Sequence, residues 1–389
     1  MSVQVLAGAS AWSRWRTMAG VGVRMMFHDR LKLLGTLTGV VFACLLSNQQ
    51  AGTFLGLLGK NVMFIENASA DVWIAPPFTR QFQGGKLLSD AVLNQARATP
   101  GVAWAEPLLL QTTQVQLPTG GSEPVSLVGT RAPRFAGGPW NLVAGDASVL
   151  AQPQAMIFED SEREKVGGLN LGSVREVNGH RVQVRGFTWG LLPFGPAYAF
   201  AEETLAREVL GLPADKHTFV LVGAAPGQST EALAEELQRR LPQTKVMTRG
   251  QYRGEVIKYL LTATAIGISF GTSTLFGLLV GFVTVALSMF SSVIDNIRQF
   301  GTLKAIGATT WDLAKLLFVQ SCVYALTGSV IGLFLVTRIA EVSRNPNLAI
   351  ILPPWLLAST AGMMVLLCVS ASFLSLLRLR KVEPAMVFR

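Results

Sequence analysis

The sequence predicts an α-helical membrane protein of four transmembrane helices that carries an α+β extracytoplasmic domain. Three observations predict it. Four stretches of the chain lack any charged residue for long enough to cross a bilayer. A normally charged block, residues 60–258, separates the first from the second and holds 19 basic and 19 acidic residues. The net charge of +9 therefore comes from elsewhere, nearly all of it from the short segments 1–32, 295–315 and 378–389, which hold 12 basic and 4 acidic residues between them. The composition agrees: 50% hydrophobic, 15% charged, mean hydropathy +0.40, against about 25% charged for an ordinary soluble domain.

Residues 1–32 form a cytoplasmic leader. Trp12, Trp15, Ala19, Val23 and Met26 recur at helical spacing among Arg14, Arg16, Arg24, Arg30 and Lys32, which is how a helix lying in a membrane interface is built. The first span, 33–59, follows too many residues to be the short apolar region of a cleaved signal peptide and reads as an anchor. The second span, 259–294, is 36 residues, roughly 54 Å of helix against a hydrocarbon core of about 30 Å. Together with the helical-looking 248–258 before it, it predicts a continuous stalk. The third and fourth spans are 316–337 and 353–377, the latter opening at Pro353-Pro354, since proline suits a first helical turn.

Basic residues concentrate on the cytoplasmic side of short loops. This places both charged ends and the 295–315 loop inside, and 60–258 outside. The surplus positive charge thus belongs to membrane flanks, which removes the support for nucleic-acid binding. The pairs Gly35/Gly39, Gly267/Gly271 and Gly277/Gly281, with Gly52/Gly56 and Gly328/Gly332, are G-x-x-x-G spacings that let membrane helices approach closely. They serve either packing within one chain or a homodimer.

The outer block predicts a split ferredoxin-like subdomain, 60–124 with 216–258, around a β-rich insert, 125–215. The grammar strand, capped helix, strand occurs twice: 70–75, 89–97 and the run to 117; then 218–223, 230–241 and 245–248. Within the insert, 175–187 alternates as two strands turning at Asn178-Gly179.

Several chemistries are excluded. No G-x-x-x-x-G-K-[ST] phosphate loop occurs, so no nucleotide site is expected in this chain; at Gly84-Gly85-Lys86, Arg80 replaces the first glycine and Leu87 the hydroxyl residue. Gly267-Ile268-Ser269-Phe270-Gly271 matches a nucleophile elbow in letters, but a hydrolase needs it on a strand-to-helix turn beside a histidine and an acid, whereas this one lies mid-span. Cys44, Cys322 and Cys368 all lie in apolar spans, which leaves the outer block without disulfides or zinc spacing. His180 and His217 lack spaced carboxylates and are expected to be solvated surface residues rather than metal ligands. No catalytic residue, metal or cofactor is expected.

The most informative segment is the loop after the second span, Arg298-Gln299-Phe300-Gly301-Thr302-Leu303-Lys304-Ala305-Ile306-Gly307-Ala308-Thr309. Phe300, Leu303 and Ile306 form one apolar stripe, Arg298 and Lys304 flank it, Gly307 is placed to stop a helix, and Thr309 with Asp312 forms a capping box for the next one. A short amphipathic helix bounded at both ends serves either as an interfacial element on lipid or as a docking surface.

This loop resembles the R-E-x-G-x-L-K/R-A-x-G-A-S/T motif of the FtsX-like, or MacB-type, ABC transporter permeases, with Gln299 where that family has Glu. The tail Arg380-Lys381-Val382-Glu383-Pro384-Ala385-Met386-Val387-Phe388-Arg389 resembles their closing L-D/E-P-A-x-x-L-R, and Asp71-Val72-Trp73-Ile74-Ala75 looks most like the DevC branch. The resemblance implies a mechanotransmission permease of the inner membrane: a homodimer docking a separate ATPase chain, which holds ATP and magnesium, through Arg298, Gln299, Phe300, Gly301, Leu303, Lys304, Ile306 and Gly307. It further implies export with a periplasmic adaptor and outer-membrane channel, or a signal relay to a cell-wall hydrolase, or lipoprotein release.

Overall fold

The computed structural model describes residues 20, 22–27, 30–79, 86–193, 195–295, 301–303, 308–342 and 350–379. They fall into two compact units. The first comprises residues 1–55, 268–344 and 350–389; the second comprises 56–267 with 345–349.

The first unit is a helical bundle built from most of α1 (Arg30–Asn67) and α6 (Ala265–Asp295), with α7 (Thr310–Val342) and α8 (Pro354–Leu379). All four are long and apolar enough to cross a membrane. Each helix reaches past its uncharged stretch at one end or both, because flanking residues such as Arg30, Asp312 and Arg338 continue the helix. Small residues set the packing. A Cβ on Gly281 would stand 2.5 Å from the Cβ of Ala43, one on Gly328 2.5 Å from Cγ1 of Val40, and one on Gly332 2.8 Å from the Cβ of Cys44. Gly39 likewise lies against Thr284, and Gly277 against Ser47. Successive residues of α1 therefore face α6 and α7 in turn, and glycine lets all three backbones meet where lipid gives no hydrophobic drive for association. A buried polar tie joins α1 to α8: Thr360 Oγ1 donates to Asn48 Oδ1 at 3.0 Å, while Asn48 Nδ2 bonds the Cys44 carbonyl at 2.8 Å.

The second unit contains α5 (Arg249–Ala263), which is not continuous with α6. Thr264 adopts an extended conformation (φ −114°, ψ 148°), and its hydroxyl bonds the Leu260 carbonyl at 2.6 Å. The predicted unbroken stalk is thus corrected. A Cβ on Gly267 would stand 2.7 Å and 2.8 Å from the carbonyl oxygens of Leu261 and Leu260, so glycine here lets the chain fold tightly against the end of α5.

The core of this unit is the predicted ferredoxin-like arrangement. Strands β12 (Lys245–Thr248), β1 (Val72–Ala75), β11 (Phe219–Ala224) and β3 (Val102–Gln116) lie in that order, each antiparallel to its neighbour. Alternation sorts their side chains onto two faces. Val72, Ile74, Val220 and Val222 pack under α2 (Asp90–Arg97) and α4 (Thr230–Arg240). Trp73, Phe219 and Leu221 pack with Phe64 and Ile65 from the end of α1 and with Tyr252 and Val256 of α5. Burial on both faces explains why Val72-Trp73-Ile74-Ala75 is wholly apolar.

The insert shares this sheet. β3 runs on into a hairpin with β4 (Ser122–Thr130), and β4 pairs in parallel with β9 (Tyr198–Glu202). Beyond it lie β6 (Ala155–Glu159) and β8 (His180–Thr188), with short β5 (Leu142–Ala144) at the end, while β2 (Leu88–Ser89) and β10 (Lys216–His217) pair in a separate two-stranded sheet. The predicted turn at Asn178-Gly179 is present, with φ of 47° and 82°, and joins β7 (Val174–Val177) to β8. One bridge, Val115 to Val177, brings β7 back to β3. Six strands thus close into a small barrel, β3-β4-β9-β6-β8-β7. Its core includes Leu109, Leu127, Phe158, Val184 and Phe187, together with Ala206 and Val209 of α3 (Glu203–Leu210).

Candidate functional site: the loop between α6 and α7

α6 is described as far as Asp295, whose carboxylate pairs with Lys32 near the start of α1. Residues 301–303 are helical, and the Ala308 N–H donates to the Leu303 carbonyl at 2.9 Å. The next helix then begins at once. Asp312 N–H donates to Thr309 Oγ1 at 3.2 Å, and Asp312 Oδ2 accepts from both the Thr309 N–H at 3.1 Å and its hydroxyl at 2.7 Å. The capping box expected from the sequence is therefore formed. It fixes the first turn of α7 without help from any other element.

Of the residues assigned to docking, Gly301 is buried, and Leu303 packs beside Val293, Leu313, Leu316 and Leu317, with Met25 close by. Leu303 thus anchors the loop to its own bundle. Arg298, Gln299, Phe300, Lys304, Ile306 and Gly307 lie outside the described residues. Among the helix-packing glycines, Gly39, Gly277 and Gly281 meet neighbouring helices, and Gly267 meets the end of α5, whereas a Cβ on Gly35 or Gly271 would meet nothing within 4 Å. Ser269 of the G-x-S-x-G letters lies within α6.

Residues 271–384 match the FtsX-like permease C-terminal family, a range that takes in the loop, α7, α8 and most of α6. This region is an FtsX-like permease domain. A related sequence, an uncharacterized ABC transporter permease of Methanocaldococcus jannaschii, is 30% identical over 135 residues, 33% of this chain and 33% of that protein. The chain thus spans a third of the length of that curated relative. Among solved structures, the periplasmic region of MacB from Actinobacillus actinomycetemcomitans is similar at 12% identity with a TM-score of 0.36, covering 52% of this chain and 99% of that one. The extracellular domain of the ABC-type transporter YknZ from Gram-positive bacteria gives 14% identity and a TM-score of 0.34 over 46% of this chain and 99% of that one. The FtsX-like domain contains the capping box and the Leu303 anchor but neither Asp90 nor His217, whose setting sequence reasoning missed.

His217 is fully buried rather than solvated, which corrects the expectation for it. Its Nε2 lies 2.6 Å from Asp90 of α2, and its Nδ1 lies 3.3 Å from a guanidinium nitrogen of Arg207 on α3. Arg207 also bonds Glu203 at 2.7 Å and the Lys216 carbonyl at 2.6 Å. Burial holds the imidazole below its ordinary pKa, partly offset by the carboxylates of Asp90 and Glu203. Among the described residues no group of three or more His, Cys, Asp or Glu could hold a metal. No periodic signal marks a single buried histidine. Only the nearby acidic residues of α2 and α3 could have hinted at it, and they are remote in sequence.

Proposed function

We propose that this chain is the permease subunit of an ABC exporter working by mechanotransmission. The observation that carries the reading is the FtsX-like match over 271–384, which spans the loop and three of the four apolar helices. In this reading the protein sits in a bacterial inner membrane with both ends and the 295–315 loop in the cytoplasm and residues 60–258 outside. Two copies pair, and each docks one separate ATPase chain that supplies ATP and magnesium. ATP-driven closure of the ATPases moves the cytoplasmic ends of the helices, and α1, α5 and α6 relay the motion outward to a sheet packed on the end of α1. A periplasmic adaptor and an outer-membrane channel complete the export path.

Because Leu303 packs within its own bundle, a docking test should spare it. The experiment is co-purification with the ATPase encoded beside this chain, wild type against an Arg298→Glu/Phe300→Asp double variant, followed by ATP turnover. The reading expects a stable complex whose assembly and turnover fall at least tenfold in the variant, with thermal unfolding of the variant unchanged. Full assembly and unchanged turnover in the variant would make the loop interfacial only.

A further inference from the structure

We propose that the insert of the second unit rests on the membrane surface from which α1 emerges, and that Trp189 and Val143 form its foot. The chain leaves both side chains exposed, Trp189 at 42% and Val143 at 56%, although tryptophan is highly buried on average. They stand on two segments tied to each other. Trp189 N–H donates to the Asn141 carbonyl at 3.1 Å, Asn141 Nδ2 donates back to the Trp189 carbonyl, and Leu142 pairs with Thr188. The two residues after Trp189 are held as well. Gly190 N–H and Leu191 N–H donate to the Glu159 carboxylate at 2.6 Å and 3.1 Å. The indole is thus presented to the outside on a fixed backbone.

What decides the partner is the level of these segments along α1. The uncharged stretch 33–59 is 27 residues, roughly 40 Å of helix. That matches a bilayer with its headgroups, about 40–45 Å thick. Lys60, the first charge after the stretch, therefore marks the headgroup surface. Beside α1 the chain descends toward this level. Gly137 N–H donates to the Ala68 carbonyl at 3.1 Å. The Trp140 ring then lies 5.7 Å from that of Phe64, one helical turn closer to the membrane, and Asn141 follows. The Glu159 carboxylate that holds Gly190 and Leu191 also attracts the Lys60 ammonium. Trp189 and Val143 accordingly stand where the apolar stretch of α1 ends. An indole is favoured at this depth because one edge of it is polar and the rest apolar. The inference rests on α1 crossing a membrane; it does not depend on an ATPase, on export or on the charge of the lipid.

The test uses the full chain in phosphatidylcholine nanodiscs, with Cys44, Cys322 and Cys368 each replaced by alanine. A nitroxide is attached through Trp189→Cys, Val143→Cys, Ala232→Cys or Leu275→Cys. Its collisions with oxygen, which concentrates in lipid, and with a water-soluble nickel chelate are read by electron paramagnetic resonance. Ala232 is exposed on α4, on the face of the sheet away from α1; Leu275 is 63% exposed within the apolar α6. Labels at 189 and 143 should favour oxygen, as at 275, and the label at 232 should favour nickel. Adding Trp189→Glu to Val143→Cys should shift the label at 143 to nickel while the thermal midpoint holds. Equal midpoints across the set show that the labelled chains are folded. Nickel access at 189 and 143 equal to that at 232, with 275 still in lipid, overturns the inference alone. Nickel access at 275 as well overturns the membrane reading beneath it. Shielding of 189 and 143 from both reagents also overturns the inference, since a protein then covers them, as does a label at 143 that ignores Trp189→Glu.

Discussion

Arg207 has only donors to offer, and it faces Nδ1 of His217 at 3.3 Å. Nδ1 must therefore accept, and the ring's proton sits on Nε2, directed at Asp90 2.6 Å away. The arrangement holds His217 neutral. A second proton would have to enter between the ring and a guanidinium, with Glu203 3.8 Å off as the nearest compensating charge on that side.

Acidification should therefore destabilise the second unit through this residue. The unfolded chain takes up the proton near pH 6.5, whereas the folded chain, its imidazole pKa lowered by burial, takes it up only at lower pH. Between those two values the unfolded state binds more protons, and stability falls as pH falls; above pH 6.5 both states are neutral and the term vanishes. Thermal unfolding of the full chain from pH 7.5 to 5 should show this slope. His217→Gln, which keeps a donor to Asp90 but cannot titrate, should flatten it.

A buried carboxyl side chain should behave as a structural peg. The Glu159 carboxylate, 2% exposed, accepts from Ser161 Oγ (2.7 Å), Thr188 Oγ1 (2.9 Å), Gly190 N (2.6 Å) and Leu191 N (3.1 Å). Glu159→Gln retains one acceptor oxygen and turns its amide N–H groups on two of the four donors. The expected loss is about 2 kcal/mol, read as a lower midpoint in thermal unfolding; an unchanged midpoint would mean that water replaces those bonds.

The glycines divide into two kinds that mutation should separate. Gly281→Leu must push against Ala43 and is expected to cost about 1–3 kcal/mol by overpacking, measured by unfolding in detergent. Gly271→Leu meets open space within the chain, so its midpoint should hold. If α6 forms the seam of the proposed homodimer, the same variant should shift the protein to monomer in light scattering.

Thr360→Val tests the polar tie across the bundle. It removes the donor to Asn48 Oδ1 and should cost about 0.6 kcal/mol, the average for such bonds in membrane bundles. Asn48→Leu also breaks the bond to the Cys44 carbonyl and places a larger side chain in a buried site, so it should cost more.

Much of this architecture was legible because its signals are local. Uncharged runs reveal the membrane helices, Thr309 caps where expected, and the twice-repeated strand, helix, strand order marks the ferredoxin-like core, with Ser229 capping α4 while Ser89 makes no side-chain bond at the start of α2. What escaped was nonlocal or uniform in composition. The break at Thr264 sits where every neighbour is helix-compatible and uncharged, and only the close packing of Gly267 on two carbonyls exposes it. The burial of His217 depends on Asp90, 127 residues earlier. The closing of the insert depends on a single bridge, which no pattern within either strand records.

That closure governs what can attach to the second unit. A sheet offers association through the unpaired amides and carbonyls of its outermost strands. Among the described strands of the large sheet, the barrel joins six to one another, and the row ends only in β12, four residues that pair with β1 alone, and β5, three residues that pair irregularly with β8. Neither is long enough to template a well-registered added strand. Any partner of the second unit must be recognised mainly by the chemistry and shape of side chains. For the same reason the large sheet resists joining edge to edge with its copies, even when many are crowded in one membrane.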